Sequence, residues 1–281
     1  IAALDLHGLA YLDSLSNWSL DVQPALEWPS VSMTITINAV SPQIRSLSIQ
    51  SFATYSELFL PALPIAMSDL ELALGETSTV QIVRLPEELT NFTLTSPDSL
   101  TWNGVCHTNS LRLAGSLVVD NTHLIPSLSA DNLTVEGLFI SYLDLSAISA
   151  QHLTITYCQI DGTLVWPQNV ETINFDNGRA YGMLLTFPGS LTSLSANQFG
   201  INCVPILPEG LVSINMDIGP DPCFANWPMG LFGFVRTTFT DATNAPYCSV
   251  LNSTCPGSYP GIAGNVFADS DADGIFDAGE I

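Results

Sequence analysis

A short apolar-x-apolar signature returns every 19–23 residues along most of this chain. It reads Leu47-Ser48-Ile49, Leu70-Glu71-Leu72, Phe92-Thr93-Leu94, Leu111-Arg112-Leu113 and Leu133-Thr134-Val135. It continues as Leu153-Thr154-Ile155, Ile173-Asn174-Phe175, Leu194-Ser195-Ala196 and Ile214-Asn215-Met216. Successive starts are 23, 22, 19, 22, 20, 20, 21 and 20 residues apart. Leu26 and Leu4 extend the series backwards at 21 and 22. A unit this short cannot bury its own apolar side, so the regular period dictates stacked coils that share one continuous core.

Within each unit the apolar residues alternate with period two, as in a strand with one buried face. No stretch sustains a 3.6-residue period, so the return side of each coil is expected to be extended, polyproline-like or 3₁₀ rather than α-helical. At ~4.8 Å per parallel strand step, nine coils would measure about 40–45 Å. Two solenoids fit a period near 21, a leucine-rich repeat and a right-handed parallel β-helix. The expected fold is mostly β, a leucine-rich-repeat solenoid of about 9–11 short coils with a parallel sheet and little α-helix. The β-helix is the alternative.

The segments ahead of the strands favour the first. They read Leu85-Pro86-Glu87-Glu88-Leu89, Trp166-Pro167-Gln168-Asn169-Val170, Phe187-Pro188-Gly189-Ser190-Leu191, Leu207-Pro208-Glu209-Gly210-Leu211 and Trp227-Pro228-Met229-Gly230-Leu231. Proline at one fixed coil position breaks any strand there and sets the bend into the next. The pattern resembles bacterial leucine-rich repeats of the Leu-Pro-x-Leu-Pro-x-x-Leu type. Its closing units, around Cys203 to Leu211 and Cys223 to Leu231, are similar to the last repeats of large secreted surface proteins of Bacteroidetes. The sequence departs from them at Val204 and at Phe224-Ala225, and the Asn that usually follows the strand is present at Asn197 but mostly absent elsewhere.

Four segments are expected: an N-terminal cap with degenerate repeats (1–40), the solenoid (41–232), a cysteine-bearing cap or linker (233–260) and a distinct terminus (261–281). The opening Ile1-Ala2-Ala3-Leu4-Asp5-Leu6 has neither a basic n-region nor an apolar h-region, and no Met begins it. The chain is therefore expected to be a mature or excised piece of a longer protein. Nothing approaches the ~18 apolar residues that a membrane span needs, so no membrane insertion is expected.

Composition excludes further classes. The chain has 27 acidic residues against 5 basic ones, for a formal charge of −22, and every basic residue is arginine. With so few cations to displace counterions, nucleic acid is not an expected partner. Six cysteines in so acidic a chain point to an oxidising compartment. The protein is therefore expected to be secreted or to lie on the cell surface.

Cys203 and Cys223 each follow a strand start by nine residues (Leu194 and Ile214), which would stack them on adjacent coils at disulfide range. Cys248 and Cys255 are further disulfide candidates, and the pairing among the four stays open. Cys106 and Cys158 occupy non-equivalent coil positions and are expected to be buried thiols. Near the terminus, Asp269, Asp271, Asp273, Asp277 and Glu280 fall at positions 1, 3, 5, 9 and 12 of a loop with Gly274 at position 6. Ile275 would add its backbone carbonyl. This is the oxygen-ligand spacing of a Ca2+ loop. The preceding Gly264-Asn265-Val266-Phe267 resembles the opening strand of B-type immunoglobulin-like repeats in bacterial adhesins. That resemblance implies a truncated calcium-binding module whose Ca2+ stiffens the junction.

Signals for catalysis are thin. His7, His107, His123 and His152 are scattered without metal-ligand spacing, and no nucleophile elbow, phosphate loop or dinucleotide fingerprint occurs. Catalytic residues are not expected. In a leucine-rich repeat the strand centres Thr93, Arg112, Thr134, Thr154, Asn174, Ser195 and Asn215, with Ser48 and Glu71 before them, would line a concave binding face. A row of small neutral hydrogen-bonding side chains suits an extracellular glycan or protein surface, or copies of the same chain. The expected function is non-catalytic adhesion or structure, with a self-assembling filament or sheath subunit and a polysaccharide-processing β-helix enzyme as alternatives.

Overall fold

A computed structural model describes residues 2–6, 17–22, 32–51, 53, 55–115, 128–180, 187–201, 206–217, 224, 226–235 and 238–240. Among them, all regular structure is strand and the fold is a β-solenoid. No helix among the described residues is long and apolar enough to cross a membrane.

The first ladder starts with β2 (Asn17–Val22) and β4 (Ser46–Ser51). It continues through the leading halves of β6 (Asp69–Arg84) and β7 (Glu88–Trp102), then the trailing halves of β8 (Cys106–Ala114) and β9 (Leu128–Glu136). Next come β11 (Ile148–Thr156), the starts of β13 (Thr172–Ala180) and β14 (Ser193–Ile201), then β15 (Ser213–Asp217) and β16 (Phe232–Val235). Ten successive parallel pairings join these rungs. Every expected signature stacks in register on the next, from Leu47 opposite Leu70 to Leu194 opposite Ile214. The two apolar positions of each signature from Leu47 to Met216 are buried in one continuous core, against which Trp18 and Leu20 of β2 pack partly buried.

The backward extension of the series differs from expectation. Trp18 in β2, not Leu26, faces Leu47. Leu4 in β1 (Ala2–Leu6) faces Ile35 in β3 (Ser32–Ile37), on a different ladder. The first coil is longer than 21 residues, so spacing counted back from Leu47 drifts out of phase with the rungs. Leu26 itself lies outside the described residues.

The return side is extended and not helical, as expected, and its strands pair into a second parallel ladder. It begins with β1, β3, β5 (Tyr55–Ala62) and the trailing halves of β6 and β7. Farther along, β10 (Phe139–Asp144) pairs with β12 (Gln159–Val165), and the ladder continues onto the ends of β13 and β14. Ile35, Leu58, Val80 and Leu100 fill its inner column and are wholly buried. Two parallel ladders make the chain a mostly β solenoid, the class that both expected folds share. The proline corners at Pro188, Pro208 and Pro228 recur every 20 residues. At these corners and at Pro64 the Pro carbonyl accepts from the amide three residues on, as in Met67 to Pro64, Leu191 to Pro188, Leu211 to Pro208 and Leu231 to Pro228.

From Gly115 onward a left-handed residue recurs where the chain turns between the ladders, whereas β6 and β7 pass from one ladder to the other without one. Gly115, Gly137, Tyr157, Asn177 and Gln198 occupy equivalent positions with φ of 100°, 69°, 54°, 49° and 51°. Here the backbone leaves one strand plane for the next without breaking the rung-to-rung bonds. The amide of Gly137 donates to Thr156 and that of Tyr157 to Asp176. At the far end, β17 (Thr238–Thr240) pairs antiparallel with β16, so the last parallel edge is covered.

Two glycines test this geometry. No atom lies within 4 Å of where a Cβ on Gly137 would stand, so Gly137→Ala isolates the left-handed penalty and should cost about 1–2 kcal/mol. A Cβ on Gly233 would strike the Ile214 carbonyl oxygen and Cγ2, so Gly233→Ala must push adjacent coils apart and should cost more. Denaturant midpoints of the two variants check the order; equal losses would refute the close approach at Gly233.

Candidate functional site

Alternation along each rung sends one set of side chains into the core and the other to solvent. Because the rungs are in register, the strand centres Thr93, Arg112, Thr134, Thr154, Asn174, Ser195 and Asn215 form a single row on the outer face of the first ladder. Ser48 and Glu71 lead into it. All of the expected face residues are thus brought together, each intermediate in exposure except the exposed Asn215.

Side chains on this face bond from rung to rung. Ser48 Oγ donates to Glu71 Oε2 at 2.8 Å, and Arg112 Nε donates to Glu136 Oε2 at 2.8 Å. In the flanking columns Asn91 Nδ2 donates to Asp69 Oδ1 at 2.6 Å and Asn197 Nδ2 to Asp176 Oδ1 at 3.0 Å. His152 Nδ1 lies 2.7 Å from Thr172 Oγ1. The Arg112–Glu136 pair is partly exposed, so its stabilisation is about 0–1 kcal/mol. Its larger effect is local neutrality, since the one cation in the row is matched by a carboxylate. From Thr134 to Asn215 the row is uncharged. Chemically it is a repeating array of hydroxyl and amide groups at strand spacing, suited to multivalent hydrogen bonding rather than to proton transfer.

The register also brings together a group that linear spacing hides. His107 Nδ1 sits 3.0 Å from Ser129 Oγ, and His107 Nε2 is 3.7 Å from Asp131 Oδ1. A nucleophilic relay needs a carboxylate hydrogen-bonded to the imidazole in a water-excluded site. Here the carboxylate is beyond hydrogen-bond reach, and His107 and Asp131 are about half exposed. Among the described residues no group of three or more His, Cys, Asp or Glu side chains is placed to hold a metal.

Residues missed in the sequence line a second feature at the left-handed corner. A groove of about 490 Å³ runs past Phe139, Tyr157, Gln159, Asn177, Arg179 and Gln198. Tyr157, Asn177 and Gln198 are 20 and 21 residues apart, as are the paired positions Phe139, Gln159 and Arg179 at 20 and 20. That spacing was a usable signal. It was hidden because the recurring position is polar or aromatic by turns rather than apolar throughout.

The expected Ca2+ ligands Asp269, Asp271, Asp273, Ile275, Asp277 and Glu280 lie outside the described residues, as do Cys203, Cys223, Cys248 and Cys255. Cys106 and Cys158 are buried free thiols, as expected. Burial pushes the Cys106 thiol from 9.0 up to about 11. Burial also raises Cys158, partly opposed by hydrogen bonds to the Leu138, Gly137 and Thr156 backbone. Neither is activated as a nucleophile, because the thiolate is the reactive form.

The folded chain therefore holds the Cys106 proton more tightly than the unfolded chain does. Its contribution to stability is complete below the ordinary thiol pKa of 9.0 and is lost as pH rises through about 11. Unfolding midpoints should fall above that lower limit, and Cys106→Ala should flatten the fall; an unchanged slope in the variant would count against a buried, neutral thiol. Iodoacetamide should label neither cysteine until the fold is opened.

Compared with known protein families, curated proteins and solved structures, the chain matches none.

Proposed function

We propose that this chain is a non-catalytic adhesion or structural module of a large secreted bacterial protein, acting outside the cell or at its surface. The in-register, uncharged row from Thr134 to Asn215 carries this reading. A stack of equal strand steps presents a hydroxyl or an amide again at ~4.8 Å intervals. Weak contacts repeated along a stiff scaffold add up to useful avidity only when their spacing is held, and rung pairing holds it. The net charge of −22 supports an uncharged or cation-bridged counter-surface rather than an anionic one. In the same reading Ca2+, bound by the carboxylates of Asp269, Asp271, Asp273, Asp277 and Glu280 with the Ile275 carbonyl, stiffens the C-terminal junction.

One observation favours self-assembly as a second reading. Where the preceding rung carries Ser213 and Asn215, the last parallel rung carries Phe232 and Phe234, both solvent-exposed. Aromatic side chains at the end of a polar row suit contact with another module or another copy. Electron microscopy at high protein concentration with Ca2+ separates the cases: filaments support assembly, and monomers alone dismiss it.

Two tests address the principal reading. Replacing Thr134 and Asn174 by Arg puts bulk and charge into the row without touching the core. Binding to intact cells or extracted surface material should drop by about tenfold or more while the thermal midpoint stays put. Retained binding would remove the row as the adhesive face. Chelation by EDTA should speed protease cleavage within 261–281, and an unchanged cleavage rate would dispose of the Ca2+ loop.

A further inference from the structure

The corner groove carries an assignment of its own. Phe139 and Tyr157 are 63% and 64% exposed, large aromatic faces left in water on neighbouring coils. Tyr157 is also held at φ 54°, a conformation that an aromatic residue rarely adopts and that the equivalent position one coil earlier fills with Gly137. A strained backbone is retained where the surrounding structure enforces it, and such positions gather at ligand clamps. Exposure and strain are two independent marks on one side chain.

The polar groups around the rings are already organised. Arg179 Nε and Nη2 both donate to Gln159 Oε1, at 3.2 and 2.8 Å, and Gln159 Nε2 donates to Asp161 Oδ2 at 3.3 Å. Guanidinium, amide and carboxylate thus form one hydrogen-bonded plate beside the aromatic faces. Asn177 and Gln198 continue the left-handed column along the groove and offer further amide donors and acceptors. From the coil of Phe139 to that of Gln198 is three strand steps, roughly 14 Å. The volume falls in the range of small-molecule sites, and a mixture of apolar faces with a few placed polar groups is their usual lining.

We infer that this groove binds a neutral oligosaccharide. Sugar rings present an apolar C–H face, which suits the electron-rich faces of Phe139 and Tyr157, and a rim of hydroxyls that both donate and accept. Amide side chains meet such hydroxyls in both senses, and arginine supplies fixed donors. The length suits a short chain of sugars rather than one ring. Charge favours the neutral class, because the one cation lining the groove, Arg179, is engaged by Gln159, which is bonded in turn to the Asp161 carboxylate, and the net charge of −22 repels uronates and sulfates. The inference supplies the ligand class for the adhesion reading and rests on it, but uses a different surface from the Thr134–Asn215 row.

Titration calorimetry with cellohexaose, maltohexaose, mannohexaose and chitohexaose tests it, with polygalacturonate and a decaproline peptide as comparison ligands. At least one neutral hexasaccharide should bind, and Tyr157→Asn and Phe139→Ser should each weaken it by about tenfold or more. Asn accepts the left-handed conformation, so Tyr157→Asn should melt no lower than the parent and its loss of binding reports the ring. Phe139→Ser, on an exposed strand position, guards against a local effect of the first variant. The Thr134→Arg, Asn174→Arg protein should bind the sugar unchanged. Tighter binding of polygalacturonate or decaproline, no binding of any neutral hexasaccharide, or binding that survives both groove variants would overturn the assignment. Loss of sugar binding only in the row variant would overturn the groove while leaving the adhesion reading intact.

Discussion

Everything in this molecule depends on the stacking of apolar columns between successive coils. A single coil of about 20 residues has too little apolar surface to offset the entropy of ordering its backbone. Leu133 and Val135 are buried because Leu111 and Leu113 lie on one side and Leu153 and Ile155 on the other. Burial is therefore a property of neighbouring coils rather than of any one coil. The same dependence enforces register, since a slip of one residue would send a whole rung's leucines to solvent and its threonines to the core.

Register then determines the chemistry that the surface can show. Once the inner columns are aligned, outer residues at equal spacing are aligned too, and the row from Thr134 to Asn215 follows without further instruction. The corners add a second consequence. From Gly115 onward a left-handed residue turns the chain between ladders, and the column Gly115, Gly137, Tyr157, Asn177, Gln198 mixes residues that adopt this conformation easily, the two glycines and Asn177, with Tyr157 and Gln198, which resist it. Where the column becomes aromatic, the surface gains a ring at the mouth of the groove. The corner is both a backbone solution and the frame of the proposed sugar site.

Much of the first ladder and the outer row was legible because period two and a spacing near 21 leave direct marks in the residues. All nine signatures from Leu47 to Met216 found their partners. The second ladder was not read, although Leu58-Phe59-Leu60 and Val80-Gln81-Ile82 alternate in the same way and follow the first ladder at a second phase of the same period. Alternation reports a half-buried strand but not its neighbour, and only tertiary pairing distinguishes a returning strand from an extended connection. The groove was hidden for a related reason. Phe139, Gln159 and Arg179 share a column without sharing chemistry, so no repeated residue type announced them.

The amino-acid sequence by itself determined that the chain stacks as coils, which residues face inward on the first ladder, and that its surface is acidic and almost free of cations. It determined these because hydrophobic burial selects positions by period, and period is written in the order of the residues. The tertiary structure alone decided that the return side is a second parallel ladder, that Trp18 rather than Leu26 begins the first, and that Tyr157 joins Phe139 and Arg179 around one groove. Those are contacts between residues on separate coils. Their distances follow from how the coils turn and stack, a relation that no single unit of the repeat contains.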